Sequence, residues 1–180
     1  MDSYQAVIDF WFNEIDSKQW FVKDVEFDRL IIARFAELHA RATHCELFAW
    51  REEPLGRLAE IIVLDQFSRN MYRDQAQAFA YDGLALVLSQ EAIRQGAEQQ
   101  LLPVQQAFLF MPFMHSESKL IHEQAVELYK APGLEHNHEF ELKHKAIIDR
   151  FGRYPHRNAI LGRESTAQEI AFLKQPNSGF

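Results

Sequence analysis

The sequence predicts an all-α protein, and three observations carry that expectation. Apolar residues recur at spacings of three and four along nearly the whole chain, the period of helices with one buried face. No run alternates apolar and polar residues for long enough to form a strand. Proline and glycine punctuate the periodic segments, as they do between helices. The expected architecture is seven to eight helices in one domain over residues 1–180, with a long Arg-rich loop before the last helix and residues 174–180 as a frayed tail.

Each element has a local reason. The first helix runs from about Ser3 to Ile15, with Tyr4, Val7, Ile8, Trp11, Phe12 and Ile15 on one face. After a turn through Asp16 to Lys18, Asp24 caps a second helix carrying Phe27, Leu30, Ile31, Phe35 and Leu38. A short aromatic connection around Phe48 and Trp50 leads to a third, whose first turn suits Pro54. Asp74 is expected to open a fourth helix ending at Gly96, and Pro103 a fifth that Pro112 breaks or kinks. Ser116 starts a sixth, stopped by Pro132-Gly133, and a seventh spans about Glu135 to Phe151. Thr166 and Glu169 form a capping-box pattern, so a last short helix begins at Ala167 with Ile170, Phe172 and Leu173.

Composition narrows the class. At 180 residues the chain is long enough to bury a core, and 47% apolar content with fifteen Phe and three Trp supplies one. The lone Cys45 leaves no intramolecular disulfide and no multi-cysteine zinc site. The opening Met-Asp-Ser-Tyr lacks a signal-peptide pattern, so a cytoplasmic protein is expected. No stretch is apolar enough to cross a membrane, and a net charge of -7 argues against nonspecific binding to nucleic acid or anionic lipid. Oligomeric state stays open, with Trp50 and Phe180 as candidate interface aromatics.

Three clusters carry chemistry. The first is Arg150 to Thr166, which places Arg150, Arg153, Arg157 and Arg163 in a segment broken by Gly152, Pro155 and Gly162. A loop of about fourteen residues is uncommon without function. Its guanidinium groups suit carboxylate or phosphate, and His156 and Asn158 add adaptable hydrogen bonding. Tyr154-Pro155 is open to either peptide isomer. The alternative is that these arginines tie the loop to helix carbonyls and to acidic side chains such as Asp65 and Glu117.

The second cluster lies on the third helix. On a wheel of 100° per residue, Leu55, Ile61 and Ile62 fall within about 60° of Leu58, while Val63, Leu64 and Phe67 fill other sides. This is the pattern of a central helix buried on nearly all faces. Asp65 and Arg69 fall inside the apolar stripe one turn apart, where charges are costly unless paired. They form either a register-fixing ion pair or, with Gln66, Asn70 and Tyr72, the lining of a pocket. The third cluster, Met114-His115-Ser116-Glu117, follows the Pro112 break, with Ser116 as a cap and His115 and Glu117 facing a site. The alternative there is a plain cap with an exposed Glu. No metal site is expected: no His-Glu-x-x-His spacing occurs, and His122 and His144 sit on apolar faces as satisfied core histidines.

Several blocks together resemble a known family. Leu64-Asp65-Gln66-Phe67-Ser68-Arg69-Asn70-Met71-Tyr72, Phe113-Met114-His115-Ser116-Glu117 and Phe151-Gly152-Arg153-Tyr154-Pro155-His156-Arg157-Asn158-Ala159-Ile160-Leu161-Gly162-Arg163 look like hallmark blocks of the bacterial domain of unknown function 924 family. Asp9-Phe10-Trp11-Phe12, Trp20-Phe21 and Ala78-Phe79-Ala80-Tyr81-Asp82 fit as well, so the resemblance spans essentially the whole chain. Ser68 departs from the family's more frequent Pro. The resemblance implies a tetratricopeptide-like antiparallel helical superhelix, although no clean repeat is visible. It implies no reaction.

Two function classes follow. The first is a binding module that captures an anionic small molecule or a peptide carboxylate through Asp65, Gln66, Arg69, Asn70, His115, Glu117, Arg153, His156, Arg157, Asn158 and Arg163. The alternative is a hydrolase or lyase of an anionic substrate, with His115 or His156 as acid or base and Asp65 or Glu117 orienting it. With no Gly-x-Ser-x-Gly, phosphate loop or dinucleotide fingerprint, no cofactor is expected.

Overall fold

A computed structural model describes residues 3–179. Their regular secondary structure is all helical, with no strand among them, as the apolar periodicity predicts. Among the described residues no helix is long and apolar enough to cross a membrane. Helix α1 (Tyr4–Asp9) starts at Ser3, whose hydroxyl accepts from the Gln5 amide, and continues in a π turn over Phe10–Glu14. The wider turn buries Phe10 and Trp11 side by side. Helix α2 (Val25–Thr43) is capped by Asp24, which accepts from the amides of Glu26 and Phe27 at 2.9 and 3.2 Å. Its stripe of Phe27, Ile31, Phe35, Leu38 and Ala42 is buried.

The third helix is the centre of the molecule. It begins with Pro54 as α3 (Pro54–Ile62), widens into a π turn over Val63–Phe67, and finishes as α4 (Ser68–Met71). Every residue from Leu58 to Ser68 is buried. Phe67 meets the rings of Phe10 and Trp11 with centroids 6.1 and 5.6 Å away, so the two π turns of the molecule pack together. Glu60, buried in the same helix, is neutralised by Arg51 through two 2.7 Å bonds.

Three boundaries differ from the sequence reading. Asp74 opens no helix: it takes a left-handed φ of 62° and accepts from Lys23 at 2.7 Å, and after a 3-10 turn at Ala76–Phe79 helix α5 begins only at Asp82 (Asp82–Arg94). Gly96, at φ 71°, does mark its end. In α6 (Pro103–Met114) the helix runs through Pro112, so the break offered for it alongside a kink does not occur; burial of every residue from Ala107 to Met114 outweighs one lost backbone bond. Ser116 is not the cap of α7 (Lys119–Leu128); Ser118 occupies that position, and the Ser116 carbonyl instead accepts from the His122 ring.

Helix α8 (Glu135–Phe151) ends at left-handed Gly152, and the Arg-rich loop leads to α9 (Ala167–Leu173), whose Thr166/Glu169 capping box forms as expected. Ile147, Ile148 and Tyr154 form a second, smaller core here with Phe151 and Phe172. Ile170 points outward. At the chain end, the Ser178 hydroxyl donates to the Leu173 carbonyl, and Gly179 lies against the His156 ring. Trp50 packs half-buried against Tyr4, while Phe180 lies outside the described residues.

One contact fixes how closely α3 approaches the preceding turn. A Cβ placed on Gly56 would lie 2.0 Å from the Trp50 carbonyl oxygen, a backbone atom that cannot swing aside. Gly56→Ala is therefore expected to destabilise the protein on the order of 3 kcal/mol, measured as a lower urea midpoint with unchanged slope.

Candidate functional site

The π turn of α3 presents Asp65, and everything else in the site is arranged around it. Asp65 is 1% exposed, and its Oδ1 meets His115 Nδ1 at 2.7 Å and Arg69 Nη1 at 3.3 Å. Gln66 donates to Oδ2 at 2.6 Å, which occupies the second oxygen. Arg69 spans from the Asp65 carbonyl to Asp82, which it grips in a bidentate pair at 2.8 and 3.0 Å. The expected Asp65–Arg69 ion pair is thus present, extended by Asp82 and His115.

The Arg-rich loop closes over this cluster. Tyr154-Pro155 is trans. Arg157, 6% exposed, reaches Asp82 Oδ2 at 3.4 Å and donates to the His115 carbonyl at 3.1 Å. Its guanidinium lies 4.5 Å from the Phe79 ring centre and 4.6 Å from that of Tyr154, a cation held between two aromatic faces. Glu117 accepts from Arg163 at 2.6 and 2.9 Å and from the Tyr154 amide at 2.7 Å. Asn158 accepts from Arg163 and donates to Ser165 within the loop.

Not every residue of the sequence reading joins the cluster. Arg153 turns away to α9, where Glu169 takes it at 2.7 and 2.8 Å. Asn70 faces α2 and donates to Asp28, which also binds Arg73. His156 packs on Tyr154 and Gly179, and its enclosed Nδ1 has no partner among the described residues. His122 and His144 are core histidines: His122 meets Glu141 and the Ser116 carbonyl, and His144 Nδ1 the Phe140 carbonyl. Asp82 and Phe79 were missed as site residues. The signal for them was the Ala78–Asp82 block, which carries a carboxylate and an aromatic three residues apart.

Between these elements lies a cavity of about 280 Å³. Its polar wall is Asp82, His115, Ser116, Glu117 and Arg157, and its apolar wall includes Phe79, Leu86, Pro112 and Leu161. Of the expected ligand-binding residues His115, Glu117 and Arg157 line it, whereas Asp65, Gln66, Arg69, Asn70, Arg153, His156, Asn158 and Arg163 do not. Asp65 fixes His115 by Nδ1, whereas Nε2 has no partner among the described residues and is not sealed from the cavity. An imidazole held by one nitrogen and open at the other can exchange a proton with a bound molecule.

The electrostatics follow from burial and pairing. Burial pushes the Asp65 carboxyl up, but His115 and Arg69 outweigh it and hold the group well below the usual carboxylate range. Burial pulls the His115 imidazole down, Arg69 lowers it further, and Asp65 only partly compensates, so His115 is neutral near pH 7. Burial and then Arg157 bring His156 down to about 4, and burial brings His144 down to about 3. Unfolded histidines titrate near ~6.5, so these three groups contribute full stability above that pH and lose it as pH falls toward the folded values. The melting temperature is expected to fall from pH 6.5 to 5, before most carboxylates titrate. Calorimetry should record proton uptake on unfolding in that window, reduced in His156→Gln.

Comparison with known proteins agrees with the blocks noted in the sequence. A solved structure of a protein of unknown function from Agrobacterium tumefaciens is similar to this chain, with 36% identity, a TM-score of 0.91, and coverage of 95% of this chain and 96% of that one. No curated protein matches the chain. The family described as bacterial protein of unknown function (DUF924) matches residues 7–177. With Asp65, His115 and the Arg157 loop all inside that span, the chain belongs to this family.

Proposed function

We propose that this protein is an acid–base enzyme acting on a small anionic molecule, with His115 as general base and Asp65 as the group that orients it. The observation that carries this reading is the 2.7 Å contact between Asp65 Oδ1 and His115 Nδ1, with His115 in the cavity wall and its Nε2 unpaired among the described residues. A receptor that only captures anions has no use for an imidazole fixed in one orientation and kept neutral by burial. The capture reading, in which Arg153, Arg157 and Arg163 grip a ligand together, is also weakened. Glu169 and Glu117 already occupy Arg153 and Arg163 in bidentate pairs, leaving Arg157. A cavity of about 280 Å³ suits a small molecule better than a peptide end.

The chemistry assigned to the site is two proton transfers through one nitrogen. His115 Nε2 takes a proton from a water as its oxygen bonds to the substrate, or from the bound molecule as a double bond forms, and the resulting imidazolium is balanced by Asp65. The bond from the substrate to the leaving group breaks and the proton passes from Nε2 to that group, which returns His115 to its neutral state. Gln66 keeps Asp65 aimed, and the Asp65–Arg69–Asp82 chain keeps that carboxylate ionised.

His115→Gln preserves size and hydrogen bonding but cannot act as a base. In a panel of ester, amide and carbon–heteroatom lyase substrates bearing an anionic group, the wild-type protein is expected to turn over at least one. His115→Gln should lower that kcat by about 10²–10⁴ with an unchanged circular dichroism spectrum. Because the neutral form acts, the wild-type rate should be flat at neutral pH and fall on the acid side, below the ordinary histidine range. A His115→Gln protein as active as wild type would sink the proposal.

A further inference from the structure

We infer that the substrate of this site is a monocarboxylate with a short apolar body, received by Arg157 and the start of α5. The inference rests on the reading of His115 as the base and adds the chemical class of what it acts on.

Arg157 is the least satisfied cation of the cluster. Its enclosed Nε has no hydrogen-bond partner among the described residues, Nη1 reaches Asp82 only at 3.4 Å, and Nη2 has the His115 carbonyl alone at 3.1 Å, although the residue is 6% exposed. A buried guanidinium with unspent donors is costly unless an acceptor completes it. Arg69 and Arg163, by contrast, each hold a carboxylate at 3.0 Å or less through two nitrogens. Helix α5 also opens at the cavity, where Asp82 and Gly83 line it, and no side chain caps its first turn. Amide donors and the positive helix end there add to Arg157.

The same wall limits the charge that can enter. Asp82 and Glu117 both line the cavity, and their oxygens are already taken by Arg69 and by Arg163 with the Tyr154 amide. Three carboxylates (Asp65, Asp82 and Glu117) face three guanidinium groups (Arg69, Arg157 and Arg163). The cluster is charge-balanced, so a phosphate dianion would add two uncompensated negative charges and a monocarboxylate only one, beside an Arg157 whose Nη atoms each keep a second N–H. Across from it stand Phe79, Leu86, Pro112 and Leu161, a surface for a short hydrocarbon body.

Hexanoate, inorganic phosphate and hexylammonium are the probes, with binding read by calorimetric titration and by the His115 ring signals in histidine-labelled protein. Hexanoate is expected to bind and shift the His115 signals, while phosphate and hexylammonium leave them unmoved. Arg157→Gln should raise the hexanoate Kd by about tenfold or more. Because Arg157 is buried between two rings, a second variant guards against misfolding. Gly83 lines the cavity and a Cβ there meets nothing within 4 Å, so Gly83→Leu adds bulk at the cavity wall from a position with room for it and should abolish hexanoate binding in a folded protein. Phosphate binding as tight as hexanoate, or hexanoate binding unchanged in Gly83→Leu, overturns the inference. Failure of the base reading looks different: His115→Gln would then bind hexanoate and keep wild-type turnover. Loss of turnover in His115→Gln on substrates without a carboxylate, with no hexanoate binding, would sink the carboxylate inference and leave the base.

Discussion

Burial of Asp65 is the constraint on which the rest of the site depends. A carboxylate 1% exposed at the middle of the central helix is tolerable only if its charge is answered at once, and it is answered from α4 by Arg69 and from the α6–α7 turn by His115. Arg69 in turn requires Asp82, which fixes where α5 starts, and Asp82 draws in Arg157, which fixes the loop after α8. Removing one partner from such a chain costs about 3–5 kcal/mol, far more than an exposed pair is worth. Lys23–Asp74 and Arg29–Glu26 illustrate the second kind, since all four side chains are well exposed. The charged cluster thus registers four sequence-distant segments against one another, which apolar packing alone does not specify.

Locking and chemistry are not competing accounts of the Arg-rich loop. Arg153 and Arg163 are spent on Glu169 and Glu117, and that expenditure makes the loop rigid. Rigidity places Arg157 between Phe79 and Tyr154 with donors left over. A charge that is fixed before a ligand arrives needs no reorganisation when it acts.

Much of this was legible in the sequence, for reasons that can be named. Asp24, Thr166 and Glu169 announce helix starts through local hydrogen bonding, and Pro54 through its fixed φ and missing N–H, all of which depend on neighbours in the chain and little else. The Leu58 to Phe67 wheel identified the central helix because a helix apolar all round has nowhere to go but inside. Asp74 and Ser116 misled because a cap is decided by the backbone that follows. Asp74 is held by Lys23 in a left-handed turn, and the Ser116 carbonyl is claimed by His122. At Pro112 the break is absent because burial of its whole helix segment outweighs one missing bond. In the site, Asp65, Arg69 and His115 were readable as charges in apolar or turn positions. Asn70, Arg153 and His156 were grouped with them by sequence proximity, but their directions depend on Asp28, Glu169 and Tyr154, partners from other segments.

The π turn at Val63–Phe67 has an implication for how such a chain can change over time. A π turn holds one more residue than an α turn, so it is a counted feature of the chain and not a chemical one. Losing a single residue there would restore a regular helix and leave Arg69 close to its present direction, because the α turn covers the same revolution with one residue fewer. What would change is the aim of the side chains inside the turn, Asp65 first among them. The direction of Asp65 is thus set by the number of residues in its turn as well as by their identities.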